Sequence, residues 1–192
     1  ACGEIIYEIV GILTPMTAEI ALPLYVAVST DTGCFVYANT TAHTHQVAAA
    51  LIDTGIAVAG VNKALFRTKS RTRLAMEAWM AEWAEYYDND RVVIMQIPLS
   101  LCLDYKATEA DVEELSSLAA LVAGTDCGVT LRELEPGKVK ISLRTGPRVN
   151  ATKVCALLGG GGHAAAAGAT LSATLSEAKQ AVLQAIDMVV GE

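Results

Sequence analysis

The stretch GVTLRELEPGKVKISLRT, residues 128–145, decides the fold of the C-terminal half of the chain. Two runs in which apolar and polar residues alternate, Gly128–Leu134 and Lys138–Leu143, predict two β-strands. The segment Glu135-Pro136-Gly137 between them is typical of a turn, so the two strands are expected to form a hairpin. This half of the chain is therefore expected to be built on a sheet.

Further elements follow on both sides of the hairpin. Strand patterns lie at Arg91–Ile97 and Ala166–Leu171. Helical patterns lie at Thr108–Val122, Asn150–Leu158 and Ser176–Val189, the second beginning at a capping Asn. Strands that alternate with helices predict a small α/β domain with a mixed sheet.

The N-terminal half is expected to be mostly helical. Apolar spacing predicts helices at Glu4–Leu13, Ala18–Ser29, Thr44–Thr54, Val58–Arg67 and Ser70–Tyr87. Pro23 is expected to kink or divide the second of these, and Cys34–Tyr37 has a strand-like composition. The polar segment 88–90 marks a boundary, which predicts two domains, residues 1–87 and 90–192.

Composition excludes several classes of protein. The chain has 192 residues, of which 53% are hydrophobic and 18% charged, so it is too apolar to be disordered. Two stretches without charged residues, 32–52 and 154–176, contain too many polar groups and glycines to span a membrane. Five widely spaced cysteines without a CxxC motif favour reduced thiols in a cytoplasm.

Charge is unevenly distributed along the chain. The net charge of −7 excludes a uniformly basic surface for nucleic acid. Residues 63–73 nevertheless contain five basic residues and no acid, and residues 132–153 contain six basic residues and two acids. Two interpretations stay open: two basic faces that hold a polyanion across a cleft, or ordinary solvated surfaces.

Two C-terminal features favour the binding of an anion. The run Gly159–Gly162 offers bare backbone N–H groups, and His163 adds a donor. Arg144, at the end of a predicted strand, is a forked donor suited to phosphate or carboxylate. The alternatives are a flexible surface loop for the glycines and an ordinary surface side chain for Arg144.

One N-terminal carboxylate is a candidate metal ligand. Asp31 stands at the end of an apolar helix in Thr30-Asp31-Thr32-Gly33, where its oxygen atoms suit Mg²⁺ or Mn²⁺. A turn or capping role is the alternative. His43 and His45 are either metal ligands or polar residues at a helix start.

Together these motifs resemble a known family. The blocks 30–35, 39–41 and 44–51 resemble the later part of the catalytic domain of DHH-family phosphoesterases, and 142–145, 149–150 and 159–168 resemble its DHH-associated C-terminal domain. Their order is similar to that in the RecJ-like branch, which degrades very short RNA and dephosphorylates pAp. The resemblance implies an α/β chain: the C-terminal remnant of a parallel-sheet catalytic domain, then a smaller mixed-sheet domain.

The resemblance also implies a site. It implies two Mn²⁺ ions in the catalytic domain, with Asp31 as one ligand, and it leaves the catalytic residues unassigned. It implies that Arg144 and His163 contact substrate phosphate, with the backbone of Gly160, Gly161 and Gly162 behind them. The Asp-x-Asp and Asp-His-His motifs of the family would precede Ala1, so we expect a truncated chain that is inactive by itself.

The function expected from this resemblance is manganese-dependent hydrolysis of short oligoribonucleotides, of 3′-phosphoadenosine 5′-phosphate (pAp), or of both. This chain would supply the substrate-binding part. Two alternatives are a non-catalytic module that binds nucleotides or single-stranded nucleic acid, and a cyclic-dinucleotide phosphodiesterase. We also expect no membrane contact, and self-association into a homodimer through the apolar segment Ala18–Ser29.

Overall fold

The chain folds into two compact units, Ala1–Thr68 and Lys69–Glu192, in a computed structural model that describes residues 2–191. The described part of the first unit contains helices and no strand. Its helices are α1 (Cys2–Leu13), α2 (Ala18–Asp31), α3 (Ala42–Ile52) and α4 (Val58–Phe66). The four helices predicted before residue 68 are therefore confirmed, with small shifts at their ends.

The core of the first unit lies among α1, α2 and α3. The largest fully buried side chains there come from α2 and α3: Tyr25, Val28, Val47 and Leu51. Thr44 Oγ1 donates a hydrogen bond to Glu4 Oε1 at 2.9 Å and so ties α3 to α1. The outer side of α1 leaves Ile12 and Leu13 exposed. The expected self-association through residues 18–29 stays a prediction.

The strand expected at Cys34–Tyr37 and the division of α2 expected at Pro23 are wrong, whereas a kink at Pro23 stays a prediction. Cys34–Tyr37 is a turn rather than a strand, because Gly33, Cys34 and Phe35 all have positive φ. The N–H of Cys34 donates to the carbonyl of Ser29 at 2.7 Å, which folds the segment back onto the end of α2. Pro23 does not divide α2, since it lies on the exposed side, where the loss of one backbone hydrogen bond is tolerated.

The second unit is a six-stranded sheet with helices. Its helices are α5 (Arg71–Glu82), α6 (Leu99–Asp104), α7 (Glu109–Val112), a 3₁₀ helix (Glu113–Leu121), α8 (Ala151–Leu157) and α9 (Leu175–Val190). Its strands are β1 (Glu85–Tyr87), β2 (Val92–Ile97), β3 (Cys127–Glu135), β4 (Lys138–Thr145), β5 (Gly161–His163) and β6 (Ala166–Leu171). The spatial order is β1-β2-β3-β4-β6-β5, and among these neighbours only β2 and β3 are parallel. The predicted mixed-sheet α/β fold is confirmed.

Strict alternation along the strands divides the unit into two cores. Val92 and Ile94 of β2 face α8 and α9, whereas Val93, Met95 and Ile97 face α5, α6 and the 3₁₀ helix. Strand β4 contributes only to the first core, through the buried side chains of Val139, Ile141 and Leu143. The side chains on the opposite face of β4 therefore belong to neither core.

Some elements differ from the expectation. The helix predicted at Thr108–Val122 is α7 followed by the 3₁₀ helix, and the helix predicted at Ser70–Tyr87 ends at Glu82 and gives way to β1. The predicted domains, residues 1–87 and 90–192, concern family domains and stay a prediction. As compact units, however, α5 and β1 pack with the second half of the chain, because Met76 and Met80 lie in its core.

No helix within residues 2–191 combines the length and the apolar character that crossing a membrane requires.

The buried thiols give a testable prediction about this fold. Burial, with smaller contributions from Cys155 and Asp126, raises the pKa of Cys127 to about 12, and burial also raises the pKa of Cys155. Because the thiolate is the reactive form, iodoacetamide at pH 8 should label exposed Cys2 and spare Cys127 and Cys155. Mass spectrometry of the digested protein measures this. Unfolding in guanidinium should make all three react, and labelling of Cys127 in the folded chain would contradict the packing.

Candidate functional site

Strand β4 carries polar side chains on the face opposite its core. Lys140, Ser142 and Arg144 alternate with the buried Val139, Ile141 and Leu143. Lys140 is exposed, whereas Ser142 and Arg144 are half-buried. These three residues define one edge of the site.

The sheet register places a predicted residue of another strand beside Arg144. Arg144 pairs with Ala166 of β6, and Ala166 pairs with His163 of β5. Because directly opposite residues of antiparallel strands share a face, these three residues form one row across the sheet. The next row contains only small residues: Ser142, Gly168 and Gly161.

The 3₁₀ helix covers only part of this face. It lies against β3, where a Cβ at Gly128 would come within 2.6 Å of the Cα of Ala120. Thr130 Oγ1, on the same strand, donates to the carbonyl of Ser116 at 3.3 Å. The face of β4, β6 and β5 next to it stays open.

The open face is a groove, here called the sheet groove. Its floor consists of small residues, and its sides carry Glu113 and Ser116 from the 3₁₀ helix and cations from β4. Its lining comprises Glu113, Ser116, Lys140, Ser142, Arg144, Gly161, Gly162, Ala166, Ala167 and Gly168. Three of the residues predicted to bind substrate therefore meet in one groove: Arg144, Gly161 and Gly162.

A family model for the DHHA1 domain matches residues 89–192, more than half of the chain. The chain belongs to the DHHA1 domain family. The resemblance to DHH-family proteins that the motifs indicated is thereby confirmed.

Two similar proteins extend this comparison. The bifunctional oligoribonuclease and PAP phosphatase NrnA of Thermus thermophilus is 34% identical over 189 residues, which cover 97% of this chain and 56% of NrnA. An exopolyphosphatase-related protein from Bacteroides fragilis superposes with a TM-score of 0.83 at 22% identity, covering 91% of this chain and 52% of that one. The latter shows a shared fold. The chain thus spans about half the length of these relatives.

The remaining predicted substrate contacts of this DHHA1 domain lie differently. His163 does not line the groove, but it is exposed on the edge strand in the row of Arg144. Gly160 belongs to the end of α8: its N–H donates to the carbonyl of Cys155 at 2.8 Å, and that of Gly159 donates to Ala156 at 3.1 Å. This pattern is a Schellman motif, so the N–H of Gly160 is not available to an anion.

The cations of the site differ in their partners. Arg132, next to the groove, is held by two hydrogen bonds to Glu109, of 2.7 and 2.6 Å. These bonds lower the pKa of Glu109. Arg144 instead donates one hydrogen bond to the carbonyl of Leu143 at 3.0 Å, and within residues 2–191 it contacts no carboxylate. Its guanidinium therefore keeps donors for a ligand.

Ion pairs account for much of the two basic segments. Pairs of 2.6 to 3.2 Å join Lys69 and Arg73 to Glu77, Arg73 to Glu114, Lys138 to Glu135, and Arg148 to Asp126. For the residues that they involve, these contacts favour the interpretation as ordinary surfaces. Lys140 and Arg144 line the groove, and neither of them takes part in these ion pairs.

Asp31 is the last residue of α2, and its surroundings do not make up a metal pair. Asn39 Nδ2 donates to the carbonyl and to Oδ2 of Asp31, at 3.1 and 3.3 Å. His43 instead pairs with Glu8 at 3.2 Å, and His45 stacks on Phe35. Between residues 2 and 191, no three side chains of His, Cys, Asp or Glu gather as a metal site requires. The residues described do not fit two Mn²⁺ ions, and Asp31 as a ligand stays a prediction.

Sequence reasoning missed Lys140 and Ser142 as site residues. Both stand at alternate positions with buried Val139, Ile141 and Leu143, so the period-two pattern of the strand contained the signal. Gly168 and Ala166 had no such signal, because their place in the groove depends on pairing with β4 and β5.

The glycine run gives a prediction that separates fold from site. A Cβ at Gly160 would collide with the carbonyl of Gly168 and come within 2.7 Å of the Cα of Ala169, whereas a Cβ at Gly161 meets no atom within 4 Å. Gly160→Ala should therefore lower the free energy of unfolding by more than about 1 kcal/mol. Gly161→Ala should leave it unchanged or raise it by up to about 1 kcal/mol.

Urea denaturation followed by tryptophan fluorescence measures this difference, because Trp79 and Trp83 are the two tryptophans and both lie in the second unit. Equal destabilisation by both substitutions would contradict the different roles of the two glycines.

Proposed function

We propose that the sheet groove binds the phosphate groups of a short oligoribonucleotide or of pAp. In this proposal the chain is the substrate-binding part of a phosphoesterase that hydrolyses such compounds. Membership of the DHHA1 family and the likeness to an oligoribonuclease and PAP phosphatase support the substrate class. The position of Arg144 over an open floor of small residues is the observation that carries the binding role.

The geometry fits a phosphate in two respects. A guanidinium presents parallel N–H donors that match two phosphate oxygens, and the groove leaves that of Arg144 without a carboxylate partner. Across the floor, Gly161 and Gly168 have no side chains, so a sugar-phosphate backbone approaches the main chain closely. His163 then supplies a further donor from the edge strand.

For catalysis we propose manganese as the metal of the whole enzyme, with Asp31 as one of its ligands. A pair of divalent ions supplies charge stabilisation for the attacking and leaving oxygens in phosphoryl chemistry. The residues described here do not complete such a pair, so no catalytic step is assigned to them. For localisation we propose the cytoplasm, where free thiols persist.

Two alternatives share the same groove. A non-catalytic module would bind nucleotides in a salt-dependent way without any turnover in a longer protein. A cyclic-dinucleotide phosphodiesterase would prefer a ligand that lacks a terminal phosphate. Calorimetry with pAp and with a cyclic dinucleotide separates the substrate classes.

Removing the guanidinium tests the binding role. Arg144→Ala should weaken pAp binding by about 1.5–3 kcal/mol, the range for a hydrogen bond to a charged group. Isothermal titration calorimetry of the 192-residue chain measures this. Arg148→Ala is the matched control, because Arg148 pairs with Asp126 and does not line the groove. Unchanged affinity in the Arg144 variant, or an equal loss in the control, would remove Arg144 from the site.

A turnover assay tests whether this chain binds substrate without hydrolysing it. The chain should release no mononucleotide from a 5′-phosphorylated RNA dinucleotide with Mn²⁺, since its described residues bring no set of metal ligands together. Chromatography of the products, against a metal-free control, measures the release. Release that depends on Mn²⁺ would show that this chain completes a catalytic site by itself.

A further inference from the structure

Lys140 lies on the same face of β4 as Arg144, four residues earlier in the strand. At a rise of about 3.3 Å per residue, the two Cα atoms lie about 13 Å apart. Both side chains line the sheet groove, and Ser142 lies between them. The groove therefore has one cation toward each end of its β4 side.

Lys140 also borders a second hollow that continues the sheet groove. This hollow shares Glu113, Ser116, Lys140 and Ser142 with the groove and extends toward Thr130 and Arg132. Lys140 thus stands where the two hollows join. A ligand that extends from Arg144 along β4 reaches Lys140 next.

Two carboxylates, those of Glu109 and Glu113, line the hollow beside Lys140, and Lys140 forms an ion pair with neither. The nearby carboxylate of Glu109 is occupied by Arg132, which donates to both of its oxygens. Lys140 itself makes no hydrogen bond or ion pair with the residues between 2 and 191. Lys138, two residues earlier, differs in this respect because it pairs with Glu135 at 2.9 Å.

We propose that Lys140 binds a second phosphate of the ligand, the one that lies along β4 away from Arg144. This inference rests on the proposed function and deepens it, because it makes recognition depend on two phosphates. The two side chains begin about 13 Å apart, which is farther than the two phosphates of one nucleotide. Both side chains are long, so they can extend toward each other over Ser142. A ligand with one phosphate then fills one position, and a ligand with two reaches both. The planar guanidinium of Arg144 donates two parallel hydrogen bonds to one phosphate. The ammonium group of Lys140, on its flexible side chain, binds the second phosphate.

Two nucleotides that differ in one phosphate test this assignment. AMP carries only the 5′-phosphate, whereas pAp has the same base and sugar with a 3′-phosphate in addition. Lys140→Gln should weaken pAp binding about tenfold, as expected for loss of a charge-assisted hydrogen bond, and should leave AMP binding unchanged. Arg144→Ala should weaken the binding of both ligands. Calorimetry at one fixed salt concentration measures all six affinities, those of the unmodified chain and of the two variants for each ligand.

Lys138→Gln is the matched control, because it removes the same charge from the same strand at a position outside the groove. It should leave both affinities unchanged, and thermal melts should show that all variants fold.

Unchanged pAp affinity in Lys140→Gln, or an equal loss for AMP and pAp, would overturn the inference while Arg144→Ala still supports the proposed function. If the unmodified chain binds neither nucleotide, both the proposed function and this inference fail.

Discussion

The backbone of the 3₁₀ helix Glu113–Leu121 passes so close to β3 that position 128 has no room for a side chain. Gly128 permits this approach, and Thr130 then bonds to a carbonyl of the helix. Protein interiors tolerate little empty space, so a side chain at position 128 would push the helix off the sheet. The helical layer is thereby fixed over β2 and β3, and the open half of the sheet follows from where that layer ends.

The distribution of charge distinguishes the open half of the sheet from the rest of the unit. The chain carries a net charge of −7, so a phosphate ligand is repelled on average and needs a local excess of positive charge. Six other cations of the unit have carboxylate partners: Lys69, Arg73, Arg132, Lys138, Arg148 and Lys179. Burial acts to lower the pKa of Arg73, but Glu114 and Glu77 outweigh it and raise the pKa. Arg144 and Lys140 lack such partners within the described residues, so their charge remains available to a ligand.

Local signals made much of the fold predictable from sequence. The turn at 135–137 defines the β3–β4 hairpin, and Asn150 caps α8 by accepting from the N–H of Lys153 at 3.1 Å. Strand β5 was not predictable, because three exposed residues form a strand only by pairing with β6. For Cys34–Tyr37 the strand prediction was wrong. Its composition suits a strand, but its backbone bonds to the end of α2.

The site was predictable to the extent that its chemistry is local. Arg144 and the glycine run were recognisable because a forked donor and bare N–H groups suit anions wherever they occur. Their meeting in one groove depends on the register between β4, β6 and β5, which no single segment contains. Lys140 was missed although its alternation with buried residues was visible, because a lysine on the outer face of a strand is ordinary by itself.

Within the glycine run, some residues are required by the fold and one is explained by the groove. Gly159 has a φ of +73° and, with Gly160, ends α8, and Gly162 has a φ of +148° and no room for a Cβ beside the carbonyl of Ala166. These three glycines are required by the fold. Gly161 has neither restriction, yet glycine costs more conformational entropy on folding than any other residue. Since the backbone does not need a glycine there, the flat floor opposite Gly168 is the property that its missing side chain provides.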